Sequence, residues 1–281
     1  MLTVRIRVSK VSKDRPDGYT FFEHRGESMT HVGSGLLTKI ASGEGKCCCD
    51  ECCRDSTRKQ KWWIVTIKTA CHVVFNTEEA VSTFVDLFYE DEDSLKKGTM
   101  KKMHGWRVQD KDEDGDWCML QCAIHDTDLA RQLIECVSLK AHWKRMFVSL
   151  QKKLDVKMLC VVVSHPHGSP KYISIGNLTK FVKIEGKIDY SCIYTAATCN
   201  GSSGAPVIVP WKLKARSWPG WWSWTAVHSY RLDNGCNQSA NGLFHTYKCK
   251  PLEGVLSEVG KRVFHFPLCQ NRFVFSMEHS L

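Results

Sequence analysis

The sequence predicts an all-β protein with a barrel or sandwich architecture, because short runs of β-forming residues recur along most of the chain. Each run is bounded by glycine, aspartate or charged clusters, and about ten of them occupy residues 20–22, 35–40, 62–67, 72–75, 117–122, 158–164, 171–176, 181–184, 205–209 and 224–229. One segment differs. From Asp126 to Leu154 the apolar residues recur at three- and four-residue steps, which is typical of a helix. We therefore expect two β halves joined by a helical connector.

The composition is that of an ordinary globular protein. The 281 residues include 43% hydrophobic and 25% charged side chains. No apolar run reaches the roughly 18 residues that a membrane-spanning helix needs, and the first residues lack the apolar core of a signal peptide, so we expect a cytoplasmic protein without a membrane span. The formal net charge of +9 is spread along the chain, and we therefore expect no nucleic-acid partner.

Three short segments carry residues suited to nucleophilic catalysis. Residues 201–206, GSSGAP, place Ser203 between glycines on a tight turn, where the N–H groups of Gly201 and Ser203 can point to one oxyanion. His72 follows a predicted strand, and Asp116 precedes another. Taken alone, GSSGAP also fits a plain Gly-Ser loop, His72 a structural histidine, and Asp116 a solvated acid of a turn. Their order along the chain, histidine then aspartate then serine, favours a catalytic set.

These segments resemble the chymotrypsin-like (trypsin-fold) serine peptidases. TACHVV (69–74) is similar to the histidine motif TAAHC of that family, DWCML (116–120) to its aspartate motif DIALL, and GSSGAP (201–206) to GDSGGP around the nucleophile. Further segments resemble other parts of the fold, so that the resemblance covers about residues 30–235. It implies an all-β protein of two six-stranded Greek-key β-barrels with a helical connector between them.

The resemblance also implies a division of the chain. An N-terminal extension occupies residues 1–19, a first barrel with His72 and Asp116 residues 20–125, a helical connector residues 126–155, a second barrel with Ser203 residues 156–250, and a C-terminal segment residues 251–281. No zymogen cleavage site is found, and Ser202 replaces the aspartate that receives the new amine in zymogen-derived members. The chain is therefore similar to members that fold directly into an active form.

The function that the resemblance implies is that of a serine endopeptidase, a hydrolase that cleaves peptide bonds through an acyl-enzyme. Ser203 would attack the carbonyl, His72 would take its proton, and Asp116 would hold the imidazole, with Asp114 as the alternative acid. The N–H groups of Gly201 and Ser203 would form the oxyanion hole. This chemistry needs no metal or organic cofactor, and the expected partner is a protein or peptide substrate.

Three residues bear on the side chain accepted at P1, the substrate residue before the cleaved bond. Ala197 stands where trypsin has the carboxylate of its pocket floor, so cleavage after Lys or Arg is not expected. His228 corresponds by resemblance to a histidine that binds Glu or Gln in glutamyl endopeptidases and picornavirus-type proteases. Together with Thr198 it would favour Glu or Gln at P1. The alternative is a structural histidine in a strand.

Five of the fifteen cysteines lie in one run, Cys47, Cys48, Cys49, Cys52 and Cys53. The spacing of Cys49 and Cys52 is that of a zinc knuckle, redox pairing of thiols is a second interpretation, and a loop without a ligand is a third. No second, separated pair of ligands is evident from the sequence. We therefore predict the plain loop and no metal site; Cys49 and Cys52 are the metal candidates, and His165 and His167 are assigned to a tight turn.

Two other functions remain open from the sequence. One is a catalytically inactive trypsin-like scaffold that binds a protein partner through the basic surface and the tryptophan-rich segment 211–224. The other is a zinc or redox sensor built on the cysteines between positions 47 and 53. Reaction of Ser203 with a serine-directed probe would exclude the first, and metal or thiol measurements would test the second.

Overall fold

The computed structural model of the protein describes residues 2–47, 49, 52–53, 61–138, 159–184, 190–212 and 221–241. The strands of these residues are β1 (Thr3–Val8), β2 (His31–Ser42), β3 (Trp63–Thr69), β4 (Thr83–Leu87), β5 (Lys101–Asp112), β6 (Trp117–Ile124), β7 (Leu159–Ser164), β8 (Tyr172–Lys183), β9 (Tyr190–Tyr194), β10 (Pro206–Lys212), β11 (Trp221–Arg231) and β12 (Asn237–Ser239). They form two closed antiparallel barrels, with the orders β1-β2-β3-β6-β5-β4 and β10-β11-β12-β9-β8-β7. The prediction of two six-stranded barrels is confirmed.

The helices of the described residues are α1 (Thr77–Val81) and α2 (Thr127–Ser138), and 3₁₀ turns lie at Phe22–His24, Glu92–Ser94 and Pro166–Gly168. The helix α2 begins where the connector is predicted to begin, because Asp126 Oδ1 accepts hydrogen bonds from the N–H groups of Asp128 and Leu129 at 2.9 and 3.0 Å. The rest of the predicted helical segment and the predicted C-terminal segment 251–281 lie outside the described residues. In the described part of the chain, no helix is long and apolar enough to cross a membrane.

The first strand shows how alternating side chains build the first barrel. The sequence TVRIRV of β1 buries its valines and isoleucine in the barrel core. Arg5 and Arg7 lie between them, and each binds the buried carboxylate of Asp86 in β4 at 2.8 Å. Because β1 lies within residues 1–19, this range is not an extension and instead supplies a barrel strand.

Two predicted strands are wrong. Residues 20–22 lead into the 3₁₀ turn Phe22–His24. Residues 72–75 form a loop in which the N–H of Val73 donates to the carbonyl of Ala70 at 3.1 Å. The apolar side chains of this loop are buried in the core of the first barrel, so their β-forming composition reflects burial rather than sheet pairing.

The remaining differences concern strand number. The predicted segments 171–176 and 181–184 are parts of one long strand, β8. The strands β1, β4, β5, β9 and β12 lack a predicted counterpart, because they are short or, like β5, rich in charged residues. Closure of each barrel supplies their partners, which a local composition signal does not contain.

Ser34 of β2 joins the two barrels. Its N–H donates to the carbonyl of Ser203 at 2.7 Å, and its Oγ donates to the carbonyl of Gly201 at 2.8 Å. The same Oγ accepts from the N–H of His165 at 2.9 Å, while Thr69 Oγ1 donates to the carbonyl of Ser34 at 2.7 Å. One buried serine of the first barrel therefore holds the turn of the second barrel that carries Ser203.

Candidate active site

Asp116 holds both the backbone and the ring of His72. Its Oδ1 accepts from the N–H of His72 at 3.0 Å, and its Oδ2 lies 2.8 Å from His72 Nδ1. Asp116 stands before β6 with a φ of 50°, a left-handed conformation that aspartate tolerates better than most residues. Ser229 of β11 donates from Oγ to Oδ2 of the same carboxylate. Asp114 is exposed in the preceding turn, so Asp116 is the acid that contacts the histidine.

The surroundings of Asp116 favour its ionised form. Burial acts against the charge, but the adjacent His72 and the hydrogen bonds from His72 and Ser229 outweigh it and hold the pKa of this carboxyl below its usual 3.8. The contribution of Asp116 to stability is therefore complete above its unfolded-state pKa and is lost as the pH falls through the lower, folded-state pKa. At neutral pH the group next to His72 Nδ1 is a carboxylate.

A buried ion pair supports the loop that carries His72. Arg15 Nη2 donates to the carbonyl of His72 at 3.0 Å, and Arg15 Nε donates to Glu79 Oε1 at 2.7 Å. Glu79 Oε2 accepts from the N–H of Phe75 at 2.8 Å. The side chains of Arg15 and Glu79 are both 0% exposed. The two ends of the loop are thus held by one charged pair, which the sequence did not reveal.

Ser203 lies on a turn that only glycine permits on both sides. Gly201 has a φ of 88° and Gly204 a φ of 80°, in the region that side chains disfavour. A Cβ on Gly201 would lie 2.6 Å from the carbonyl of His165, and one on Gly204 would lie 2.1 Å from Thr69 Oγ1. The turn therefore packs directly against the end of β3, and Ser203 itself is half-buried among buried neighbours.

Two N–H groups of this turn have no hydrogen-bond partner among the described residues. The N–H groups of Ser202, Gly204 and Ala205 donate to backbone carbonyls at 2.8–2.9 Å. In the part of the chain that the structure describes, no hydrogen bond uses the N–H of Gly201 or Ser203. These are the two donors that the sequence predicts for an oxyanion, and a turn that leaves them unpaired can give them to a ligand.

The turn of Ser203 and the loop of His72 approach each other around Gly33. A Cβ on Gly33 would lie 2.5 Å from Val73, the residue after His72, and 3.1 Å from the carbonyl of Ser203. Among the described residues, no hydrogen bond joins Ser203 Oγ to the imidazole of His72. Catalytic hydrogen bonds often form only with substrate bound, so this geometry is compatible with a nucleophile and its base.

The residues predicted for P1 lie on β11 and on the chain between β9 and β10. His228 of β11 is 5% exposed, and its Nδ1 lies 2.6 Å from the hydroxyl of Tyr194. Burial and, to a lesser extent, the electrostatic influence of the nearby His72 lower the pKa of His228 to about 3. Thr198 Oγ1 donates to Asn237 Oδ1 at 2.8 Å, at the start of β12. Ala197 is exposed beside Thr198 and offers no charge.

Among known proteins, the similarities found for this chain concern its fold and not its sequence. No protein-family model and no curated protein matches the chain. Among solved structures, it is similar to the inactive form of the protease Rv3671c of M. tuberculosis (11% identity, TM-score 0.39, covering 85% of this chain and 82% of that chain). It is also similar to Deg5, with 14% identity and a TM-score of 0.41 over 85% of this chain and 82% of that chain. A third similar structure is the HtrA-type protease AlgW with a tripeptide, with 12% identity and a TM-score of 0.41 over 85% of this chain and 56% of that chain. The two closed barrels themselves show the architecture. The chain has a trypsin-like fold.

Within this trypsin-like fold, the predicted site residues come from both barrels. His72 follows β3 and Asp116 precedes β6 in the first barrel, while Ser203 precedes β10 in the second. Ser229 was not predicted, although it directly follows His228 in the sequence and β11 carries both to this region. Its link to Asp116 connects the second barrel to the acid of the first.

The structure also gathers the predicted metal candidates. Cys49 and Cys52 lie in one cluster with Cys47 and with His125, the residue that follows β6. The sequence analysis did not connect His125 with the cysteines, because 73 positions separate it from Cys52. The four side chains converge although the sequence shows no second pair of ligands beside Cys49 and Cys52, and the prediction of a loop without a ligand stays a prediction.

Proposed function

We propose that this protein is a serine endopeptidase that uses Ser203 as nucleophile, His72 as general base and Asp116 as the group that orients the base. The observation that carries the proposal is the pair of hydrogen bonds that the carboxylate of Asp116 makes with the backbone N–H and with the ring Nδ1 of His72. A carboxylate at Nδ1 keeps the proton on that nitrogen and leaves a lone pair on Nε2 for the nucleophile.

The proposed reaction follows from these positions. Ser203 Oγ bonds to the substrate carbonyl carbon, its proton passes to His72 Nε2, and the carbonyl electron pair moves to oxygen. The N–H groups of Gly201 and Ser203 stabilise that oxyanion, a contribution of about 3 kcal/mol for each donor in comparable enzymes. Collapse of the intermediate expels the amine, which receives the proton from His72. Water then attacks the carbonyl carbon of the acyl-enzyme and gives its proton to His72. The ester bond breaks, Ser203 takes the proton back, and the carboxylic acid product leaves.

The test of this proposal is covalent labelling by a fluorophosphonate. We expect the wild-type chain to be labelled, and Ser203→Ala and His72→Ala to lose labelling while keeping a folded circular-dichroism spectrum. Ser202→Ala is the matched control, because Ser202 Oγ lies 3.1 Å from Ser164 Oγ inside the protein and we expect this variant to be labelled. A folded wild-type protein that resists the probe would instead favour the inactive scaffold.

We propose further that the P1 pocket accepts Glu or Gln through His228. With its pKa near 3, the imidazole is neutral at working pH, and the hydroxyl of Tyr194 at Nδ1 favours the tautomer with a proton on Nε2. A neutral Nε2–H is a donor suited to a carboxylate or amide oxygen. Ala197 gives no counter-charge for Lys or Arg at P1.

We expect His228→Val to lower kcat/KM for peptides with Glu or Gln at P1 by roughly 10- to 100-fold, the equivalent of about 1.5–3 kcal/mol for one lost hydrogen bond. The pH profile should keep its shape, because His228 does not titrate near neutral pH. Tyr230→Phe, an exposed position of the same strand, is the matched control. An equal loss on peptides with Ala at P1 would show a purely structural histidine.

A further inference from the structure

Three thiols and one imidazole converge at the end of β6 that lies away from Asp116. Cys47, Cys49 and Cys52 belong to the loop after β2, and His125 directly follows β6. His125 Nε2 lies 3.1 Å from Cys52 Sγ and 3.8 Å from Cys49 Sγ. All four potential ligand atoms lie within 4.8 Å of one another.

These separations match the dimensions of a tetrahedral zinc site. Zinc binds sulfur at about 2.3 Å and imidazole nitrogen at about 2.0–2.1 Å, so its ligand atoms are roughly 3.5–3.8 Å apart. The separations in the cluster are 3.1 and 3.8 Å for the two pairs with His125 Nε2 and at most 4.8 Å for the others, so shifts of up to about 0.6 Å per atom would complete the tetrahedron. The donor set, three sulfurs and one nitrogen, is one that zinc prefers in structural sites.

The three cysteines of the cluster are buried in an apolar environment, and His125 is half-buried. Cys47 is 0% exposed, Cys49 8% and Cys52 2%, and they pack with the indole of Trp62. The indole N–H of Trp62 donates to the carbonyl of Gly45 at 3.1 Å, which holds the loop over the cluster. Four protein ligands in a buried shell leave no open coordination position for a substrate, which is the arrangement of structural rather than catalytic zinc.

Two simpler interpretations account for less of this geometry. A disulfide would use two thiols and leave the third beside His125, whereas the cysteines of the cluster are free and share the imidazole. Apolar packing alone gives no reason for an imidazole nitrogen to lie between two sulfurs. In addition, the N–H of Cys49 donates to Cys47 Sγ at 3.4 Å, a contact that orients this sulfur within the cluster.

We propose that Cys47, Cys49, Cys52 and His125 bind a structural zinc ion. On binding, each of the three thiols releases a proton and forms a Zn–S bond, and neutral His125 donates its Nε2 lone pair, so no redox partner is involved. The ion ties the loop after β2 to the end of β6, across 73 residues of chain between Cys52 and His125. It lies in the first barrel and takes no part in the chemistry proposed for Ser203.

The zinc content of the full-length wild-type chain, purified under reducing conditions without a chelator, is the first measurement. We expect one zinc ion per chain by mass spectrometry of the metal, and a lower melting temperature after chelation. After exchange with Co²⁺, we expect the visible absorption of tetrahedral cobalt and a near-ultraviolet thiolate-to-cobalt band. These readouts do not depend on peptidase activity, so they test the metal site separately from the proposed function.

Variants identify the ligands. Cys52→Ser and His125→Ala should lose most of the bound zinc, whereas His125→Cys should retain it because a thiolate can replace the imidazole. Cys53→Ser is the matched control, since Cys53 is adjacent to Cys52 but exposed and outside the cluster, and it should retain the full zinc content.

The wild-type chain alone can overturn the proposal, so it does not depend on the folding of any variant. A folded wild-type protein that contains no zinc and binds no cobalt when reduced would contradict it. A mass lower by two hydrogens, together with unreactive cluster thiols, would show a disulfide and would also contradict it. Among the variants, an equal loss of zinc in Cys53→Ser and Cys52→Ser would contradict the ligand assignment.

Discussion

Replacement of Asp116 by asparagine is expected to lower kcat by about 10,000-fold and to change KM by only a few-fold. The amide oxygen can still accept from the N–H of His72 at the position of Oδ1, and the amide NH2 at the position of Oδ2 can donate to the hydroxyl of Ser229, so the loop keeps its shape. The amide group also carries N–H donors, and when it turns one toward Nδ1 the ring must place its own proton on Nε2. In that tautomer His72 cannot accept the proton of Ser203, and the barrier to acylation rises.

The turn before β6 offers a matched control for this prediction. Asp114→Asn removes the same charge two residues earlier, at an exposed position, and kcat should remain within about two-fold because screened surface charges act weakly. Both variants are measured on one Gln- or Glu-P1 peptide, with the rate of fluorophosphonate labelling as a second readout. If Asp116→Asn kept kcat within tenfold of wild type, Asp116 would not be the residue that orients the base.

Replacement of Glu79 by glutamine is expected to lower the free energy of unfolding by about 3–5 kcal/mol, because it leaves the guanidinium of Arg15 buried without its counter-charge. Both side chains are fully buried, and Glu79 also accepts from the N–H groups of Ser12 and Phe75. Urea unfolding followed by circular dichroism gives the value. Since Arg15 binds the carbonyl of His72, activity should fall as well.

The adjacent residue supplies the control. Glu78 pairs with Lys10 at 2.6 Å, but both side chains are about one-third exposed, so Glu78→Gln should cost less than about 1 kcal/mol. Replacing Arg15 and Glu79 together by methionine should recover only the part of the loss that comes from the unpaired charge, since the N–H groups of Ser12 and Phe75 lose their acceptor. Equal costs at positions 78 and 79 would contradict the role assigned to the buried pair.

The sequence reveals the candidate triad because each member lies in a short motif. His72, Asp116 and Ser203 stand beside β-forming runs and small residues, and these signals are local. The supports of the triad are different. Arg15 reaches Glu79 across 64 positions, and Ser34 reaches Gly201 across 167. No spacing rule links such residues, because barrel closure alone brings them together.

The same reason limits the prediction of strands and of the zinc ligands. The strand β5 carries charged side chains along most of its length, and its pairing with β6 rather than its composition makes it a strand. Cys49 and Cys52 are recognised as candidate ligands from their spacing. His125 cannot be recognised in this way, because it lies beside them only through the sheet order β2-β3-β6, which brings the ends of β2 and β6 together.

The hydrogen bonds of Ser34 have a consequence for when activity can arise during biosynthesis. The turn of Ser203 takes its shape from a serine of the first barrel, and Ser229 of the second barrel completes the surroundings of Asp116. A ribosome-bound chain with only its first barrel folded has neither nucleophile nor finished acid. Under the proposed function, peptidase activity would therefore arise only after both barrels are synthesised and joined, which protects the growing chain from self-cleavage.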